Sequence, residues 1–148
     1  MKIVAKTDQG KIRKDNQDSF AAGELPGGVV WAVVCDGMGG AAGGSVASQT
    51  AVKMISEKIA SGYQYGMSDK SIKNLLTSVV ESANSSIYEM SCSVESLNGM
   101  GTTVVVSVIR DKELYLVHAG DSRAYRVTKD SITQLTRDHS VVQDMVEH

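Results

Sequence analysis

The chain has 148 residues, enough for one domain, with 42% hydrophobic and 22% charged residues, so a disordered or low-complexity chain is excluded. The net charge of -2 comes without any basic block, which argues against a nucleic-acid or anionic-membrane partner. No apolar run approaches the roughly 20 residues that span a bilayer, and two cysteines without a CxxC pair suit a reducing cytoplasm and exclude a cysteine zinc site.

Lys2 to Thr7 alternates weakly and reads as a short edge strand, closed by a turn at Asp8-Gln9-Gly10. A polar, charged stretch follows from Lys11 to Ser19, and Phe20 begins a second strand. Glu24-Leu25-Pro26-Gly27-Gly28 is a turn signal. Val29 to Val34 is apolar at every position, which predicts a central strand covered on both faces. It runs into Cys35-Asp36-Gly37-Met38-Gly39-Gly40, a carboxylate at a strand end followed by glycines. That arrangement suits either a plain turn or a site where backbone approaches a metal or an anion.

Gly39 to Gly44 is too glycine-rich for a regular element. Beyond it, Val46, Ala51, Met54, Ile55 and Ile59 share one helical face that Gly62 ends. Ser68 or Asp69 caps a second helix, whose stripe Ile72, Leu75, Leu76, Val79, Val80, Ala83, Ile87 and Met90 is wide enough to cover a sheet. After the break at Asn98–Gly101, the spacing predicts strands at Thr102–Ile109, Glu113–Ala119, Ser122–Val127 and Ile132–Leu135, an antiparallel meander. Ser140-Val141-Val142-Gln143 reads as a capping box opening a last helix. Strands, grouped helices, then strands again predict an α+β fold rather than a doubly wound parallel sheet.

Three acid-bearing stretches stand beside turns: Asp15 to Asp18, Asp36-Gly37 and Asp121. Singly, each is an ordinary turn residue; together they could supply the oxygen ligands that Mg²⁺ or Mn²⁺ requires. Gly37-Met38-Gly39-Gly40-Ala41-Ala42 also satisfies the G-x-G-x-x-A dinucleotide pattern. Asp36 would set a negative charge beside a pyrophosphate, however, and the position about 20 residues on falls in a helix near Glu57. No Gly-Lys-Ser/Thr follows, so a Walker loop is absent.

Four motifs occur in order: Arg13-x-x-Asn16-Gln17-Asp18-Ser19; Asp36-Gly37-Met38-Gly39-Gly40 with Gly43-Gly44; Gly99-Met100-Gly101-Thr102-Thr103; and Gly120-Asp121-Ser122-Arg123. With Thr136-Arg137-Asp138-His139-Ser140 they closely resemble the bacterial branch of the metal-dependent (type 2C, PPM) serine/threonine protein phosphatases, from Lys6 onward. The resemblance implies an antiparallel β-sandwich flanked by helices, in four α/β/β/α layers. It implies hydrolysis of protein phosphoserine and phosphothreonine by a water activated by Mg²⁺ or Mn²⁺. Carried across, Asp36 matches the aspartate that bridges two catalytic ions, and Gly37 the residue whose carbonyl ligates one of them. Asp18 matches an acidic residue in the outer part of that site, Arg13 the arginine that grips the substrate phosphate, and Asp121 the aspartate that holds a third, weaker ion. Partners so implied are phosphorylated proteins, with a serine/threonine kinase acting on the same substrates, in the cytoplasm.

The chain also departs from the pattern. Gln17 stands where some relatives carry a glutamate, and Met38 where eukaryotic members have a histidine proposed as general acid. His118 and His139 read as structural. The family pattern continues with a further Asp-Gly segment and an Asp-Asn segment, neither of which occurs before His148. The expectation is therefore the N-terminal portion of a single phosphatase domain. The alternative is a catalytically silent module that binds or self-associates through an uncovered sheet.

Overall fold

The computed structural model describes residues 1–40, 43–140 and 143. Its centre is an antiparallel sheet in the order β1-β2-β4-β5, formed by Asp18–Leu25, Val29–Met38, Val104–Arg110 and Glu113–Ala119. The two-residue strand β3, Gly101–Thr102, also pairs with β2. Helix α1, Gly43–Gly62, packs on β1 and β2; α2, Asp69–Ser93, packs on α1 and the β4–β5 side. The expected α+β class with antiparallel sheets is what the chain forms.

Alternation decides which residues the helices cover. From Trp31 onward, β2 turns Trp31, Val33 and Cys35 into the core. Against them lie Ala47, Ala51, Ile55 and Ile59 of α1 and Ile72, Leu76, Val79, Ala83 and Ile87 of α2. Leu75, Val80 and Met90, on the flanks of the predicted stripe, are only partly buried. Ser68 is the N-cap of α2, its Oγ accepting the Ser71 N–H at 3.2 Å. At the far end of the sheet, Arg110 of β4 donates to the Met67 carbonyl and to Asp69, joining the sheet to the first turn of α2.

Several sequence expectations are corrected. Lys2–Thr7 is not a strand: it is exposed throughout and joins no ladder, because a weak alternation carries no partner of its own. β2 is central, but its second face is open, with Val34 48% exposed and its β1 neighbour Phe20 41%. An unbroken apolar run therefore does not report two covered faces here. β1 starts at Asp18 and β2 continues to Met38, so Asp36 lies inside paired strands and not at a strand end. Helix α1 begins at Gly43, inside the stretch expected to be too glycine-rich for a helix; Gly43 and Gly44 are close-packed, a Cβ on Gly43 lying 3.1 Å from Met100 Cβ and one on Gly44 2.3 Å from Gln17 Oε1. The meander ends at β5. The next pair, β6 (Tyr125–Val127) and β7 (Ile132–Gln134), forms a separate exposed ribbon. Ser122 and Arg123, expected in that strand, instead bond to Thr103 and Asp138. The last predicted helix lies largely outside the described residues; Gln143 is described, and its N–H donates to Ser140 Oγ at 3.2 Å.

β1 and β2 are joined by Pro26-Gly27-Gly28, with φ of 85° at Gly27 and 73° at Gly28, a left-handed backbone that glycine adopts without strain. This turn closes the Leu25↔Val29 pair and so starts a ladder that runs to Asp18↔Asp36.

Cys35, buried at the centre, has its thiol pushed up to about 12 by burial, partly offset by a hydrogen bond from Thr102. Cys92 is exposed on α2. Alkylation of the folded chain at pH 8 is expected to modify Cys92 alone, and denaturant to expose the second thiol. Mass spectrometry showing two adducts on the native chain would contradict this burial.

Candidate active site

The site grows out of the hairpin register. Asp18 and Asp36 are paired across β1 and β2, so their side chains leave the sheet on the same face, the open one that also carries Phe20 and Val34. Asp36 remains solvent-accessible at its tip, yet its carboxyl is held above the ordinary carboxylate value. Burial is the largest cause, followed by the charge of Asp18 and a hydrogen bond to it. Arg13 pulls in the opposite direction, and Asp121 adds to the upward push. Of the side chains singled out from sequence, Arg13, Asp18 and Asp121 thus each act electrostatically on Asp36.

Backbone contacts hold that place rigid. Gly37 N–H donates to the Gln17 carbonyl at 3.2 Å, and the same carbonyl accepts the buried Ser48 Oγ of α1 at 2.7 Å. Ser48 Oγ also meets Ser19 Oγ at 3.0 Å. Gly37 and Gly44 touch so closely that a Cβ on Gly37 would lie 2.0 Å from the Gly44 carbonyl oxygen, and one on Gly44 2.3 Å from Gln17 Oε1. The first turn of α1 is thus pressed against the strand that bears Asp36. Across β2, the ladder places Asp36 between the Gly37↔Thr102 and Val34↔Val105 pairs, opposite Thr103. There Thr103 N–H donates to the Asp36 carbonyl at 2.9 Å, while Asp36 N–H donates to Thr103 Oγ1 at 2.9 Å. Thr102 Oγ1 also donates to the Asp36 carbonyl at 2.9 Å.

Thr103 lies inside a sequence motif and Ser48 in none, and the sequence points to a task for neither. Hydroxyl residues are common and carry no local pattern, so only the three-dimensional contacts disclose them. Gln17, noted as a departure, contributes its backbone carbonyl and an amide that donates to the Gly40 carbonyl at 3.3 Å. His118 Nε2 lies 2.8 Å from the Arg137 carbonyl and its ring stacks on His139 at 4.5 Å, a packing role, as expected. Arg123 and Asp138 form a bidentate ion pair, with Nε and Nη2 donating to both carboxylate oxygens.

The donor chemistry fits a hard divalent cation. Two carboxylates paired across a ladder repel one another unless a proton or a cation lies between them, and oxygen ligands are what Mg²⁺ and Mn²⁺ take. Among the described residues no three acidic, histidine or cysteine side chains gather closely enough to form a full ligand cluster. Asp18 and Asp36 offer two such oxygen donors side by side, short of a complete ligand set.

A family profile described as Protein phosphatase 2C matches residues 11–142. The serine/threonine phosphatase stp of Listeria innocua is 33% identical over 141 residues, covering 95% of this chain and 56% of the relative. The serine/threonine protein phosphatase PstP of Mycobacterium tuberculosis is 33% identical over 147 residues, 99% of this chain and 27% of its own. The solved S. agalactiae serine/threonine phosphatase superposes with a TM-score of 0.87 at 32% identity, over 96% of this chain and 57% of that one. The catalytic domain of PstP, solved in complex with two manganese ions, superposes with a TM-score of 0.81 at 33% identity, over 96% and 57%. The chain spans little more than half the length of most of these relatives.

Proposed function

This chain belongs to the protein phosphatase 2C family, and we propose that it forms the N-terminal portion of a Mg²⁺- or Mn²⁺-dependent phosphatase that hydrolyses phosphoserine and phosphothreonine in proteins. The observation that carries this reading is the Asp18–Asp36 carboxylate pair, set in register on one sheet face with Arg13 and Asp121 acting on it. Asp36 would hold both catalytic ions, the Gly37 carbonyl one of them, Asp18 would stabilise that shell, and Asp121 would take a third ion. Bound there, divalent cations supply Lewis acidity that makes water a nucleophile near neutral pH. Arg13 would orient the phosphoryl group through paired N–H donors, a task suited to a planar, permanently charged guanidinium. Met38 has no proton to give a leaving oxygen, and neither cysteine is needed as a nucleophile, with Cys35 buried and its thiol protonated.

The proposed substrates are phosphoproteins, with a serine/threonine kinase as the opposing activity in a cytoplasmic signalling circuit. Two free cysteines fit that compartment, and among the described residues no helix is long and apolar enough to cross a membrane. The test is release of phosphate from a phosphothreonine peptide with Mn²⁺ and with EDTA. Turnover that needs Mn²⁺ is expected. Equal release in EDTA would overturn the metal dependence; no Mn²⁺ uptake and no release would overturn the reading. The comparisons lend the silent-module alternative no support.

The open face carrying Phe20 and Val34 favours self-association of the isolated chain. Sedimentation at increasing concentration is expected to show mass above the monomer. A monomer throughout would rule this out.

A further inference from the structure

Thr103 occupies an unusual place in the ladder. Its side chain is 3% exposed, and its hydroxyl takes the Asp36 N–H at 2.9 Å where the antiparallel ladder would otherwise offer a backbone carbonyl. The same hydroxyl meets Ser122 Oγ at 2.7 Å, and Ser122 directly follows Asp121. A threonine hydroxyl that accepts from an amide still has its own proton to give, so one oxygen can satisfy both contacts. The loop is seated on Thr103 by shape as well. Gly120 lies so near that a Cβ there would come within 2.7 Å of Thr103 Cγ2, and on its other side the Gly120 carbonyl accepts the His139 N–H at 2.9 Å. One buried side chain therefore touches both the residue that carries the first carboxylate and the loop that carries the distant one.

We propose that Thr103 is a positioning residue: its hydroxyl sets Asp121 at a fixed place relative to Asp36, and Ser122 is the second half of that link. The role rests on the metal reading of Asp36 and Asp121 and extends it, because the two carboxylates then respond to cations as one unit. Neither hydroxyl touches substrate. Removing either leaves every carboxylate present and loosens the distance between them, the kind of supporting contact whose loss weakens metal sites by about 10–100-fold.

The test compares Thr103→Val, which keeps the branched shape and loses the hydroxyl, with Thr103→Ser, which keeps the hydroxyl. Ser122→Ala is made alone and together with Asp121→Asn. Two readouts are taken on chains that melt cooperatively: Mn²⁺ binding by calorimetry, and hydrogen exchange at the Asp36 amide. Thr103→Val is expected to weaken Mn²⁺ binding about 10-fold or more and to speed exchange at Asp36 by a similar factor, with Thr103→Ser within about 3-fold of wild type in both, a residual cost for the lost methyl. Ser122→Ala is expected to weaken binding when Asp121 is intact and to add nothing once Asp121 is Asn. Thr103→Val folded and binding Mn²⁺ as wild type does would overturn the proposal. So would Thr103→Ser failing as badly as Thr103→Val, or additive effects of Ser122→Ala and Asp121→Asn. Should the wild-type chain take up no Mn²⁺, the metal reading itself fails, and the exchange rates at Asp36 alone decide whether Thr103 holds that strand.

Discussion

Asp36→Asn is expected to lower Mn²⁺-dependent phosphate release by at least ~100-fold, since removing a bridging carboxylate forfeits several kcal/mol of charge stabilisation. The substitution is nearly isosteric, and the backbone bonds of residue 36 to Thr103 and Thr102 do not involve the changed atoms. In chelator the variant is expected to melt at or above the wild-type temperature. The amide has no charge to desolvate and none to set beside Asp18, and it can donate a hydrogen bond to Asp18, relieving the burial cost and the repulsion that raise the Asp36 carboxyl. Adding Mn²⁺ is expected to raise the melting temperature of the wild type and to leave that of the variant unchanged. Calorimetric melts with and without Mn²⁺, beside the phosphopeptide assay, check both halves. Retained turnover would remove Asp36 from the chemistry, and a melting temperature well below wild type in chelator would make it a structural residue.

Gly37→Ala tests the framework beneath the site. The added methyl would meet the Gly44 carbonyl oxygen at 2.0 Å, its carbon at 2.4 Å and the Gln17 oxygen at 2.9 Å. All three atoms are backbone, so no side chain can rotate aside. Either the first turn of α1 moves off β2 or the strand bends. A cost of about 3 kcal/mol is the overpacking range, which for a chain of this length corresponds to a fall of roughly 6–12 °C in melting temperature. Gly10→Ala is the control: Gly10 has a φ of 74° with open space around it, so its cost is the left-handed backbone alone, about 1–2 kcal/mol. Thermal melts by circular dichroism decide. Equal losses in the two variants would mean that the contact between Gly37 and Gly44 is not tight in solution.

Local chemistry made much of this molecule readable. The stripe from Ile72 to Ile87 predicts α2 because every third or fourth residue must face one way, and Ser68 caps it where the pattern begins. The acidic residues of the site are legible for a different reason. Asp18, Asp36 and Asp121 each adjoin motif residues that pack against another motif: Gln17 against Gly37 and Gly44, Gly39 against Gly99 and Met100, Gly120 against Thr103. The four motifs, separate along the chain, meet in space. The misreadings share a cause too. Lys2–Thr7 and Ser122–Ala124, the first half of the predicted Ser122–Val127, have a strand-like local pattern, whereas strand formation depends on a neighbouring edge that the pattern does not contain, and only Tyr125–Val127 finds one. The open face of β2 was hidden likewise, since Val33 and Val34 look alike in sequence while one is 0% exposed and the other 48%. Thr103 was invisible as a support because its importance lies in being opposite Asp36.

The turn at Pro26-Gly27-Gly28 sits about 24 Å along the hairpin from the carboxylates, taking 3.4 Å for each of seven residue steps. It nonetheless acts as their ruler. Side chains alternate along a strand, so inserting or deleting one residue in that loop would shift the ladder by a single place: Asp18 would face Cys35, a residue of the opposite surface, and the two acids would be parted. A loop that touches no substrate thereby sets the spacing of the chemistry at the other end, and its length is under tighter constraint than its remoteness suggests.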